Sequence, residues 1–149
     1  MSYSNPFRVA LLGLAATFAF ACAAGESPQH ERHELMESVG KAAKPIGKML
    51  KGENDFDAAV VMTSLNTFQD VASKFGGLFP PGSETGEDTE AAPAIWEDRA
   101  GFDQALANWT DAVAAAIDAN PQSLEAMKPV VGPVFKSCKG CHDTYRIED

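Results

Sequence analysis

Near the end of this 149-residue chain, Cys138-Lys139-Gly140-Cys141-His142 places two thiols and an imidazole within five residues. At about 100° per residue on a helix, Cys141 and His142 fall within roughly 60° of Cys138, so the three side chains share one face. Two thiols at this spacing can add to the two vinyl groups of one porphyrin while the next imidazole reaches the iron. Cys-x-x-Cys-His therefore reads as c-type haem attachment, and the rest of the chain must build a pocket against that helix face. Three other readings compete. A thioredoxin-like redox pair needs a strand-helix context that the sequence lacks. A structural zinc needs a fourth ligand, and only His30 and His33 remain to offer one. A local disulfide leaves His142 with no part to play.

At 149 residues and 45% hydrophobic content the chain suits a single core. Its first 23 residues have a different character. Arg8 precedes an apolar run over 9–21, and small residues follow around Cys22. This is the pattern of a secretory signal peptide over 1–23, leaving a domain over 24–149. The run is shorter than the ~20 residues a membrane-crossing helix needs. The expected destination is the periplasm, where haem can be attached to thiols that would otherwise oxidise. Cys22 is either removed with the leader or lipidated as a first residue. Removal is favoured, because Ala19 stands where a lipidation site wants an aliphatic residue such as Leu. Losing the leader removes Arg8 and no acid, which takes the formal charge one unit below −9. Nucleic acid is excluded as a partner by that sign.

Ser27-Pro28 has the chemistry of a helix start. Leu35, Met36, Val39, Ala42, Ala43, Ile46 and Leu50 then recur at three- and four-residue steps until Gly52, which predicts a helix over 28–51 with a kink at Pro45. Lys41, Lys44, Lys48 and Lys51 fall opposite that stripe, as a solvated face or as a docking patch for an acidic redox partner. Asp55 is placed to cap a second helix over 55–75, ended by Gly76-Gly77. The turn-forming residues of 78–93 predict a long loop, with Phe79 as the side chain that pins it. Ala94-Ile95-Trp96 leads as a short helical turn into a third helix bearing Phe102, Leu106, Trp109, Val113, Ala116 and Ile117, with Trp109 assigned to the core. Asn120-Pro121 closes it.

In the last segment Leu124, Met127, Val131, Val134, Phe135 and Tyr145 share the face of Cys138. Pro129 and Pro133 project to the other side. Each removes a backbone donor, at a cost of ~3 kcal/mol in a helix interior, so a bent or restarted helix is expected between Ser123 and Arg146. Four amphipathic helices and no strand predict an all-α fold, an antiparallel four-helix bundle with its long loop between the second and third helices. No internal repeat, phosphate-binding glycine loop or Ser-His-Asp arrangement occurs, and an enzyme is not expected.

A haem motif near the C-terminus, followed by Asp143-Thr144-Tyr145-Arg146 and preceded by three amphipathic helices, resembles the class II c-type cytochromes, the cytochrome c′ family. Arg32-x-x-Leu35-Met36, Lys51-Gly52-Glu53, Phe79-Pro80-Pro81-Gly82-Ser83 and Ala94-Ile95-Trp96 extend the resemblance over nearly all of 24–149. It implies one covalent haem c, held by Cys138 and Cys141 as thioethers with His142 as axial ligand. It also implies that Arg146 is the basic residue beside that imidazole and that Arg32 lies near a haem carboxylate. Met36 takes the distal position, at which the family divides. A methionine bound there as sixth ligand makes a closed iron suited to electron transfer; an unbound side chain leaves five-coordinate iron open to nitric oxide or another diatomic gas. The sequence also allows Met36 as simple core filler. Electron transfer with an unidentified redox partner is favoured, and a homodimer through the first two helices is expected from the resemblance. Pro129 and Pro133 depart from the family's last helix.

Overall fold

The computed structural model describes residues 26–86 and 89–147; the leader expected over 1–23, with Cys22, lies outside them. Four long helices carry the fold: α1 (Pro28–Lys51), α2 (Ala58–Phe75), α4 (Arg99–Ala119) and α5 (Leu124–Tyr145), with a short α3 (Ala94–Glu97) before α4. They form an antiparallel four-helix bundle, and the connection between α2 and α4 is the long one. Among the described residues there is no strand, only an isolated antiparallel bridge between Ala91 and Arg146.

The ends follow local chemistry. Ser27 accepts from His30 N at 3.1 Å, and Gly52 closes α1 with φ 73°, a left-handed turn that glycine adopts without strain. The second helix starts later than expected. Asp57, not Asp55, caps it, its Oδ1 accepting from Ala59 N and Val60 N at 2.9 and 3.1 Å. Asp55 and Asp57 offer equal capping chemistry, and only the carboxylate adjoining the first turn reaches those amides.

Helical backbone passes through Pro45, Pro129 and Pro133, which corrects the expectation of a restarted last helix. The first helix runs unbroken through Pro45. The last is also one continuous helix, not restarted as a separate segment, although Pro129 and Pro133 lie inside it. Both prolines are exposed, so the carbonyls of Glu125 and Pro129 that lose their helical donors face water. On the opposite side Met127, Val131 and Val134 are fully buried, at 0–1% exposure. That burial offsets the two missing bonds.

The core lies between all four helices, with Ile46, Leu65, Phe68, Phe102 and Val113 at its centre. Toward one end it opens beneath the long loop. Phe79 does pin that loop: its ring meets Phe75, Phe102 and Trp96 edge-on, with centroids 5.1, 4.8 and 5.7 Å away.

Candidate haem site

A cavity of about 470 Å³ sits between α1, α4 and α5, with the long loop at its rim. Cys138, Cys141 and His142 all line it, as the helical spacing requires. Both cysteines are partly buried free thiols, while His142 is exposed at the rim. Burial pushes the Cys138 thiol up and the Cys141 thiol up to about 11. Neither is poised as a thiolate, which removes the basis for a thioredoxin-like pair. Desolvation, and then the charge of Arg146, hold His142 below the ordinary histidine range. A neutral imidazole is the form that ligates a metal. Among the described residues, no three His, Cys, Asp or Glu side chains gather as a zinc site would need.

The register of α5 is fixed at its end. The Tyr145 ring packs edge-on against Phe102 at 5.3 Å, and its hydroxyl donates to Asp98 Oδ2 at 3.3 Å. Asp98 in turn caps α4, accepting from Gly101 N at 3.1 Å. Space at this joint requires glycine: a Cβ on residue 101 would overlap the Asp98 carboxylate and stand 2.6 Å from the Tyr145 hydroxyl. Although alanine is the better helix former, Gly101→Ala should cost about 1–2 kcal/mol in denaturant unfolding, because cap and tyrosine must both move.

Across the cavity from this helix, α1 supplies Met36, partly buried and in the cavity wall. Arg32, one turn earlier, also lines the cavity, but its guanidinium turns to the loop. Nη1 donates to Leu78 O and Ser83 Oγ, both at 3.0 Å; Nη2 donates to Ser83 O at 2.9 Å and Thr89 Oγ1 at 3.0 Å. The group lies over the Phe79 ring at 4.8 Å and the Trp96 ring at 5.8 Å, and the residue is only 5% exposed. Burial lowers its pKa, and the charge of Glu84 opposes that shift. Arg146 reaches the rim from beyond α5 and pairs with Glu90 through Nε at 2.6 Å.

The sequence did not single out Ser83 or Thr89 as Arg32's partners, nor Glu90. Ser83 stood within a quoted turn, but a hydroxyl in a turn usually serves its own backbone. Glu90 lies among the acids of a loop with nothing local to distinguish it. Trp109 was assigned to the core and is buried, yet it is also part of the cavity wall. Its indole N–H is buried without a hydrogen-bond partner among the described residues.

These residues fit a haem. The cavity is of ligand size, with Val39, Ala43, Phe68, Leu106 and Phe135 in its walls. The two thiols and the imidazole share one side, as the vinyl groups and iron of one porphyrin would require.

The comparisons agree. A family model described as Cytochrome C' matches residues 27–146. A cytochrome c' of Rhodopseudomonas palustris is 43% identical over 118 residues, covering 79% of this chain and 80% of the relative. Among solved structures, cytochrome c' from Rhodopseudomonas palustris superimposes with a TM-score of 0.80 at 40% identity, over 84% of this chain and 99% of that one. A mutant cytochrome c prime from Alcaligenes xylosoxidans, solved as a nitric oxide complex, matches with a TM-score of 0.71 at 26% identity, over 82% of this chain and 98% of that one. With its bundle, its cysteine pair and its cavity accounted for together, the chain belongs to the cytochrome c′ family and is a haem c cytochrome.

Proposed function

We propose that this cytochrome is an exported single-electron carrier, with Met36 as the sixth ligand of its iron. The observation that carries the reading is the meeting of Met36 from α1 and His142 from α5 in the wall of one cavity, beside the two cysteines. Cys138 and Cys141 would hold the haem through thioethers, and His142 and Met36 would ligate its iron. The bound haem supplies a reversible one-electron change at iron. Around it the chain keeps water out with Phe68, Leu106 and Phe135, and brings charge to the rim with Arg32 and Arg146. The Nη donors of Arg32 serve the loop, so toward a haem carboxylate it offers its charge and its Nε–H. The role needs no catalytic step.

Export places the carrier in the periplasm as residues 24–149, free of lipid, after removal of 1–23. No helix among the described residues is long and apolar enough to cross a membrane. Exposed Lys41, Lys44 and Lys51 on α1 suit a redox partner with an acidic face. A homodimer would use the outer faces of α1 and α2. Ser38, Ala42, Ala59 and Thr63 line a shallow groove there, and their small side chains allow helices to approach closely.

A second reading, capture of a diatomic gas, is favoured by the nitric oxide complex of the Alcaligenes relative and by the apolar walls of the cavity. Spectra of the wild type and Met36→Ala decide between the two. If Met36 is the sixth ligand, the wild type is low-spin and refuses carbon monoxide, and Met36→Ala becomes high-spin and takes it up stoichiometrically. A high-spin wild type that binds carbon monoxide readily and is indifferent to the substitution establishes the gas-binding reading instead.

A further inference from the structure

Residues 89–92 touch both sides of the pocket. Thr89 Oγ1 accepts from Arg32 Nη2 at 3.0 Å on the α1 side, and the next residue, Glu90, holds Arg146 through Oε2 and Nε at 2.6 Å. Backbone bonds fasten the two strips of chain together, Ile147 N to Glu90 O at 2.8 Å and Ala92 N to Tyr145 O at 3.0 Å. The other three ion pairs among the described residues join partners one turn apart on a single helix. Among the described residues, Glu90–Arg146 alone joins separate parts of the chain.

Arg146 follows His142 by one turn, and both line the cavity together with Glu90. The Nη groups of Arg146 have no protein partner among the described residues. The backbone bridge fixes where the Arg146 side chain begins, and the Glu90 carboxylate alone fixes where its guanidinium ends. An exposed pair of this kind adds little to folding. What it does decide is the charge and the geometry beside the imidazole.

We propose that Glu90 is a positioning residue for the axial side of the haem: its carboxylate holds the Arg146 guanidinium beside His142 and offsets its charge there. This rests on His142 being the axial ligand. A positive charge near the iron favours the reduced state and a negative one the oxidised state, and contacts outside the ligand shell set the potential. Glu90 and Arg146 are thus an opposed pair whose balance the iron reads.

The test is spectroelectrochemical titration of the haem-loaded wild type, Glu90→Gln, Arg146→Gln and the double variant, with thermal unfolding measured alongside. The expected result is an upward shift of the midpoint potential in Glu90→Gln, a downward shift in Arg146→Gln and a return toward the wild-type value in the double variant. Melting temperatures should stay close together. A loop loosened without any charge effect would move both single variants the same way and lower their melting temperatures, which overturns the proposal. So does an unmoved potential in Glu90→Gln. A wild-type spectrum that does not depend on His142 removes the axial assignment, and this inference with it; an unmoved potential with the His142-dependent spectrum intact removes this inference alone.

Discussion

Cys138→Ala combined with Cys141→Ala yields a protein whose denatured band carries no haem stain, whereas each single variant keeps one thioether and stains. The effect is all or none, because only a covalent link survives denaturation. A second loss follows from the size of the space. Without haem, a cavity of about 470 Å³ walled by Phe68, Leu106 and Phe135 is left to water, and the packing that a bound haem would give those side chains is lost. The double variant should therefore unfold without a sharp cooperative transition by near-ultraviolet circular dichroism unless haem still binds non-covalently, and added haem should restore the transition. A colourless band from the wild type would sink the haem assignment altogether.

Arg32→Leu should be the most damaging substitution away from the cysteines. Leucine keeps an apolar stem against Phe79 and Trp96 and removes all four donors to the loop. Hydrogen bonds from a charged donor are worth about 1.5–3 kcal/mol each and do not add fully, and the substitution also leaves the Leu78 and Ser83 carbonyls without the Arg32 donors, while the Ser83 hydroxyl keeps its bond to Pro80 O at 2.8 Å. A loss of at least ~3 kcal/mol is expected, seen as a fall in melting temperature of roughly 10 °C for a domain of this size. Arg32→Lys should recover only part of it, because one ammonium cannot reach acceptors arranged around a planar fork. Unchanged stability in Arg32→Leu would mean that the loop is held by Phe79 and the strip at 145–147 alone.

The bundle was legible because α1, α2 and α5 each carry an apolar stripe at helical spacing, and because Ser27, Gly52 and Asn120 mark ends by chemistry that works locally. The site was legible as far as one helix could show it: Cys138, Cys141 and His142 line the cavity because three neighbours on α5 must share a face. What escaped depends on distance along the chain. Ser83 and Thr89 lie 51 and 57 residues from Arg32, and no local pattern announces such a meeting. The unbroken α5 escaped for a different reason. Proline is penalised by a rule for helix interiors in general, but here the freed carbonyls face water and the buried side of the same helix supplies the compensation.

The loop's two fastenings differ in a further respect. At Arg32 a buried cation is hydrogen-bonded by uncharged oxygens of backbone and hydroxyl groups, so dissolved ions have little access to it and only the charge of Glu84 to screen. At Glu90–Arg146 both partners are nearly half exposed, with side-chain exposures of 48% and 42%. At an ionic strength of 0.1 M charges are screened over about 10 Å. Salt therefore acts on the loop chiefly at one end, weakening its hold beside His142 more than its hold on α1.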